Sequence, residues 1–113
     1  MLDVQKTTRN MNLIKLCPVA DVAPGEMMPV DVDELPPVAV YNVGGEFFVT
    51  SNICTHNVAI LTDGYLEDDV VECPLHGGCF NVRTGEPTHF PCEEPLQTYD
   101  VEVSDGFVCV AAP

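Results

Sequence analysis

Two short segments constrain this chain more than any other: Cys54-Thr55-His56 and, after residues 57–72, Cys73-Pro74-Leu75-His76. Each carries one sulfur and one ring nitrogen, and four such donors can hold a metal centre. A chain that uses all four must bring two loops to one point. Zinc takes two thiolates and two imidazoles in tetrahedral sites. Zinc fingers, however, pair cysteine with cysteine and histidine with histidine in separate knuckles, whereas each segment here mixes the two.

A two-iron cluster suits mixed loops better. If both sulfurs bind one iron and both nitrogens the other, each loop touches both metals, and the ligand set is that of a Rieske [2Fe–2S] centre. Two ferric ions, two sulfides and two thiolates then sum to zero charge with neutral imidazoles, and reduction adds a single negative charge. An all-cysteine site starts two charges lower and resists the electron, so Rieske potentials run from roughly −150 to +300 mV against about −400 mV for plant-type ferredoxins. The candidate ligands are therefore Cys54, His56, Cys73 and His76, the cofactor one [2Fe–2S] cluster, and the chemistry single-electron transfer. An oxygenase with its own mononuclear iron is disfavoured, because such sites need two histidines and a carboxylate and only His89 is left over.

At 113 residues the chain is sized for one domain with a modest core. Residues 1–10 are polar and lack apolar periodicity, and Met11 follows them. They read as a leader, disordered or foreign to the fold, ahead of a cluster domain over residues 11–113. No apolar run is long enough to span a membrane and no secretory leader is visible, so a cytoplasmic location is expected. In a reducing compartment the six cysteines read as ligands or small buried hydrophobes rather than a disulfide framework. Net charge is −14, and from Met11 onward two bases stand against seventeen acids, a net −15. That field repels nucleic acid and anionic membranes and suits a partner with a basic docking patch.

Short β-branched and aromatic runs dominate: residues 38–43, 46–50, 70–73, 96–103 and 107–110. Gly44-Gly45 and Ser104-Asp105-Gly106 separate neighbouring runs as hairpin turns. No segment keeps a helical apolar stripe for three turns, and ten prolines oppose one. The fold class is all-β, with residues 53–66 and 73–88 as loops or hairpins projecting from the sheet. Gly77-Gly78 after His76 permit close backbone approach to a metal centre.

From Met11 to the C-terminus the chain resembles the small Rieske ferredoxins of bacterial aromatic-ring-hydroxylating dioxygenases, of the biphenyl and naphthalene types. The likeness lies in Cys54-Thr55-His56, Leu61-Thr62-Asp63-Gly64-Tyr65, Glu72-Cys73-Pro74-Leu75-His76-Gly77-Gly78, Thr84-Gly85, Phe90-Pro91-Cys92 and Thr98-Tyr99. It implies a Rieske fold of three antiparallel sheets, with a cluster-binding subdomain made of the two motif loops and a third, proline-bearing loop near Pro91. It implies Cys54 and Cys73 on the inner iron, and His56 and His76 on the outer iron with ring edges at the surface. It also implies a donor, an NADH-dependent flavoprotein ferredoxin reductase, and an acceptor, a terminal ring-hydroxylating oxygenase. The small subunit of a nitrite reductase is the alternative within the same fold.

High-potential relatives carry a further cysteine in each loop, joined as a disulfide; Ala59 and Leu75 stand at those positions. Their serine and tyrosine hydroxyls, which bond to sulfur, are replaced by Gly78 and Phe80. A potential near the low end of the Rieske range is expected, and a redox titration placing it well above zero against hydrogen would contradict this. Cys17, Cys79, Cys92 and Cys109 read as small apolar side chains. Phe80 and Phe90 read as packing around the site. Val58, Leu75 and Pro91 are candidates for partner contact, with loop packing the first expectation for Leu75, and His89 is assigned no role.

Overall fold

A computed structural model describes residues 13–55, 59–75 and 77–112. The proposed leader, residues 1–10, together with His56, Val58 and His76, lies outside the described residues.

Eleven strands among the described residues form three antiparallel sheets. In the first, β1 (Leu13–Pro18) and β10 (Val101–Ser104) flank β11 (Phe107–Ala111). The second runs β2 (Met27–Val30), β3 (Val38–Val43), β4 (Glu46–Ser51), β9 (Thr98–Tyr99). The third runs β5 (Tyr65–Glu67), β6 (Val70–Glu72), β7 (Cys79–Asn81), β8 (Pro87–His89). The all-β, three-sheet expectation holds.

Strand β3 explains how the sheets stack. Its side chains alternate in direction, and residues 38–42 are all buried. Val38 and Val40 pack with Ile14, Val108 and Val110 of the first sheet. Ala39 and Tyr41 pack with Val71 and Phe80 of the third, and with Cys54, Cys73 and Cys92. A strand covered on both faces has no polar alternation, which is why Val-Ala-Val-Tyr stood out in the sequence. The one hydroxyl this places indoors is satisfied: Tyr41 OH lies 2.9 Å from Thr50 Oγ1, which donates to the Ser51 carbonyl at 2.8 Å.

Both predicted hairpins form. Gly44 and Gly45 take φ of 61° and 99°, which only glycine adopts freely in succession, and Val43 pairs with Glu46 across them. The expected strand over residues 96–103 is instead broken at Asp100. Thr98 and Tyr99 pair with β4, whereas Val101–Ser104 pair with β11, so the chain changes sheets there. The segments expected as loops or hairpins, 53–66 and 73–88, supply β7 and most of β5 and β8, so the hairpins assemble into a third sheet of their own.

Candidate metal centre

The two motif loops close in the same way. The Cys54 N–H donates to the Ala59 carbonyl at 2.9 Å, and the Cys73 N–H donates to the Gly78 carbonyl at 2.7 Å. Each cysteine therefore opens a six-residue excursion whose ends are tied together. Below the first excursion Ile53 bridges to Ile60, and buried Asn52 staples the base. Its side-chain amide donates to Thr62 Oγ1 and its side-chain oxygen accepts from the Thr62 N–H, both at 3.0 Å. Below the second excursion β6 and β7 pair directly, with Glu72 opposite Cys79.

A third segment, residues 90–97, is tied to the first loop and to the turn between β7 and β8. Thr55 Oγ1 donates to the Glu94 carbonyl at 2.7 Å, and the Leu96 N–H donates to the Gly85 carbonyl at 2.8 Å. This is the proline-bearing loop expected near Pro91. Two glycines let the segments meet: a Cβ at Gly64 would collide with the Glu72 carbonyl, and one at Gly78 with the Cys92 sulfur.

Three thiols converge where the loops join. Cys54, Cys73 and Cys92 are 3, 1 and 5% exposed, and the Cys54 and Cys92 sulfurs are 3.8 Å apart. Loss of water pushes the Cys73 thiol above its ordinary value; the Leu75 amide, hydrogen-bonding to it, pulls the other way, and the Cys54 thiol adds to the rise. Cys92 is pushed up to about 12, first by burial and then by Cys54. All six cysteines are unbridged.

Buried soft sulfurs with a backbone N–H aimed at one of them suit a thiolate-ligated iron, since iron–sulfur clusters are held by thiolates and tuned by hydrogen bonds to sulfur. Among the described residues no three His, Cys, Asp or Glu are grouped so as to hold a metal ion by themselves. Cys54 and Cys73 are brought together as expected. Cys92, expected to be a plain apolar side chain, belongs with them, and no spacing rule pointed to it. Cys17, Cys79 and Cys109 are buried as expected. Phe80 is fully buried against the site, but Phe90 is 79% exposed. It stands on the rim after the edge strand β8, where nothing covers it. Leu75 also departs from the packing expectation, being 44% exposed between the two candidate ligands of its loop.

The fold and the paired loops define a Rieske iron–sulfur protein, and the chain belongs to that family: residues 12–100 match the model of the Rieske [2Fe-2S] domain. It carries one cluster of that type and serves as an electron-transfer ferredoxin rather than a catalyst. It is 46% identical to ferredoxin CarAc of Metapseudomonas resinovorans, over 90% of this chain and 95% of that one. It is 45% identical to the 3-phenylpropionate/cinnamic acid dioxygenase ferredoxin subunit of Escherichia coli K12, over 91% and 96%. The ferredoxin of Sphingomonas yanoikuyae B1 superposes with TM-score 0.87 at 50% identity, covering 90% of this chain and all of that one. A ferredoxin solved in complex with the oxygenase of carbazole 1,9a-dioxygenase superposes with TM-score 0.84 at 46% identity, covering 89% and 94%. A chain assigned as a nitrite reductase small subunit reaches TM-score 0.75 at only 23% identity, which is likeness of fold alone.

Proposed function

We propose that residues 11–113 form the cluster domain, with Cys54 and Cys73 as thiolate ligands of one iron and His56 and His76 as imidazole ligands of the other. The bound cluster supplies a site that takes up and gives back one electron. The chain's own residues fix its surroundings: Asn52 and the Cys73–Gly78 bond hold the loops, the Leu75 N–H faces a ligand sulfur, and Phe80 keeps water from the inner side.

The electron comes from an NADH-dependent flavoprotein reductase and goes to a terminal aromatic-ring-hydroxylating oxygenase, in the cytoplasm. The observation that carries this reading is the near full-length likeness to a ferredoxin that docks on such an oxygenase. Exposed Leu75 and Phe90, on the rim of the thiol cluster, give an apolar surface for that contact. Among the described residues no helix is long and apolar enough to cross a membrane. Relatives of nearly equal identity serve different ring systems by name, so the aromatic substrate is a property of the oxygenase.

Anaerobic purification, with visible absorption before and after dithionite and an electron spin resonance spectrum of the reduced form, tests the cofactor assignment. A red-brown protein that bleaches and gives the anisotropic signal of a His-ligated two-iron cluster is expected. Cys54→Ala and Cys73→Ala should each lose that cluster, and either variant retaining it would remove the ligand assignment. Mixing the reduced protein with a ring-hydroxylating oxygenase, its substrate and dioxygen should oxidise two ferredoxins, one electron each, per product formed.

A further inference from the structure

We propose that Cys92 is a positioning residue of the redox centre, its thiol donating a hydrogen bond to the Cys54 sulfur and so setting how readily the centre accepts an electron. The inference rests on the assignment of Cys54 as a ligand thiolate. The two sulfurs are 3.8 Å apart, within reach of a sulfur–sulfur hydrogen bond, and either could donate if both were thiols. A metal-bound thiolate has no proton to give. The hydrogen must then be on Cys92, and the direction of the bond follows.

The geometry is built rather than accidental. Cys92 belongs to the third loop, far from Cys54 in sequence, and its N–H donates to the His89 carbonyl at 3.2 Å. Thr55, next to Cys54, ties the same loop down through its bond to the Glu94 carbonyl. Opposite, Gly78 leaves its side-chain space to the Cys92 sulfur: a Cβ there would lie 3.2 Å from the Cys92 nitrogen and 3.3 Å from its Cβ, and would overlap the sulfur itself. Gly78 is also the residue whose carbonyl closes the Cys73 loop. One thiol is thus clamped between both motif loops, nearly sealed from water.

A donor to a ligand sulfur favours the reduced state, in which that sulfur carries more negative charge. Removing it should lower the constant for electron uptake about tenfold, which is about 59 mV for a one-electron couple. The test uses the intact holoprotein with Cys92→Ala and Cys92→Ser, read by redox titration, by iron and sulfide content and by infrared spectroscopy. Cys92→Ala should keep a full cluster with a lowered midpoint, and Cys92→Ser, which retains an O–H donor, should stay closer to the parent. In the parent alone, an S–H stretching band should shift between oxidised and reduced states.

An unchanged midpoint in Cys92→Ala, or equal falls in the alanine and serine variants, would overturn the proposal in favour of packing. A cluster-free Cys92→Ala that is still folded would make Cys92 a ligand and overturn it differently. Absence of any redox-responsive S–H band in the parent would overturn it without recourse to a variant. A full cluster in Cys54→Ala would instead sink the underlying ligand assignment, so the two failures are separable.

Discussion

Cys92 and Gly78 illustrate how one residue's meaning depends on another far away in sequence. Gly78→Ala forces a methyl group into the Cys92 sulfur, and overpacking of this kind costs about 1–3 kcal/mol. Adding Cys92→Ala removes the obstacle, so the double variant should recover part of the loss in urea denaturation; additive losses would mean that the two do not compete for space. The same thiol makes a pH prediction. Burial raises Cys92 from 9.0 to about 12, so the folded metal-free protein keeps a proton that the unfolded chain releases. Its contribution is fully present below pH 9 and is lost as pH rises towards 12. The unfolding free energy of the metal-free protein should therefore fall across that window, and fall less steeply in Cys92→Ala, as followed by denaturation at a series of pH values. Phe80 is a simpler case: wholly buried, its replacement by alanine should cost about 3–5 kcal/mol.

At the scale of elements, the loops are only as ordered as their anchors. Asn52 is buried and bonds Thr62 through both ends of its amide. Asn52→Ala removes two hydrogen bonds to half-buried Thr62, each contributing about 0.5–1.5 kcal/mol net, and should release iron faster on exposure to a chelator than the parent does. Arg83 joins the second and third sheets from outside. It bonds Glu46 and Asp69, each at 3.2 Å, and lies 4.7 Å from the Phe48 ring centre. Exposed ion pairs contribute about 0–1 kcal/mol, so Arg83→Ala should cost roughly 1 kcal/mol in denaturation, with most of the difference erased by salt.

The element scale also shows where the sequence was silent. Strands β1, β2, β5 and β8 sit at sheet edges, and Pro29 and Pro87 lie within two of them. Proline is tolerated at an edge because no ladder donor is needed on the outer side. Such strands carry little local signal, because their pairing depends on the partner already being in place. Strand β7 is only three residues long and begins three residues after His76, so its ligand-loop context hid it.

The whole molecule is an acidic body, net −14, with an apolar rim at one redox centre. Charge of this size steers association with a basic partner and is screened by salt. The second-order rate of electron transfer to the oxygenase should fall as ionic strength rises, in stopped-flow mixing of reduced ferredoxin with oxidised oxygenase. A rate indifferent to salt would assign recognition to the apolar rim alone.

The sequence by itself determined the chemistry and the class of fold. Donor types at Cys54, His56, Cys73 and His76 pointed to the cluster, because ligation depends on which atoms a short segment can offer. The run Val38–Val43 and the Gly44-Gly45 turn were legible for a similar reason, since both are local statements about burial and backbone freedom. Only the tertiary structure decided that the run over 96–103 divides at Asp100 between two sheets, that Phe90 and Leu75 face outward, and that Cys92 meets Cys54. Each of those depends on a surface brought up from a distant part of the chain, and no periodicity or spacing within one segment encodes what will be placed against it.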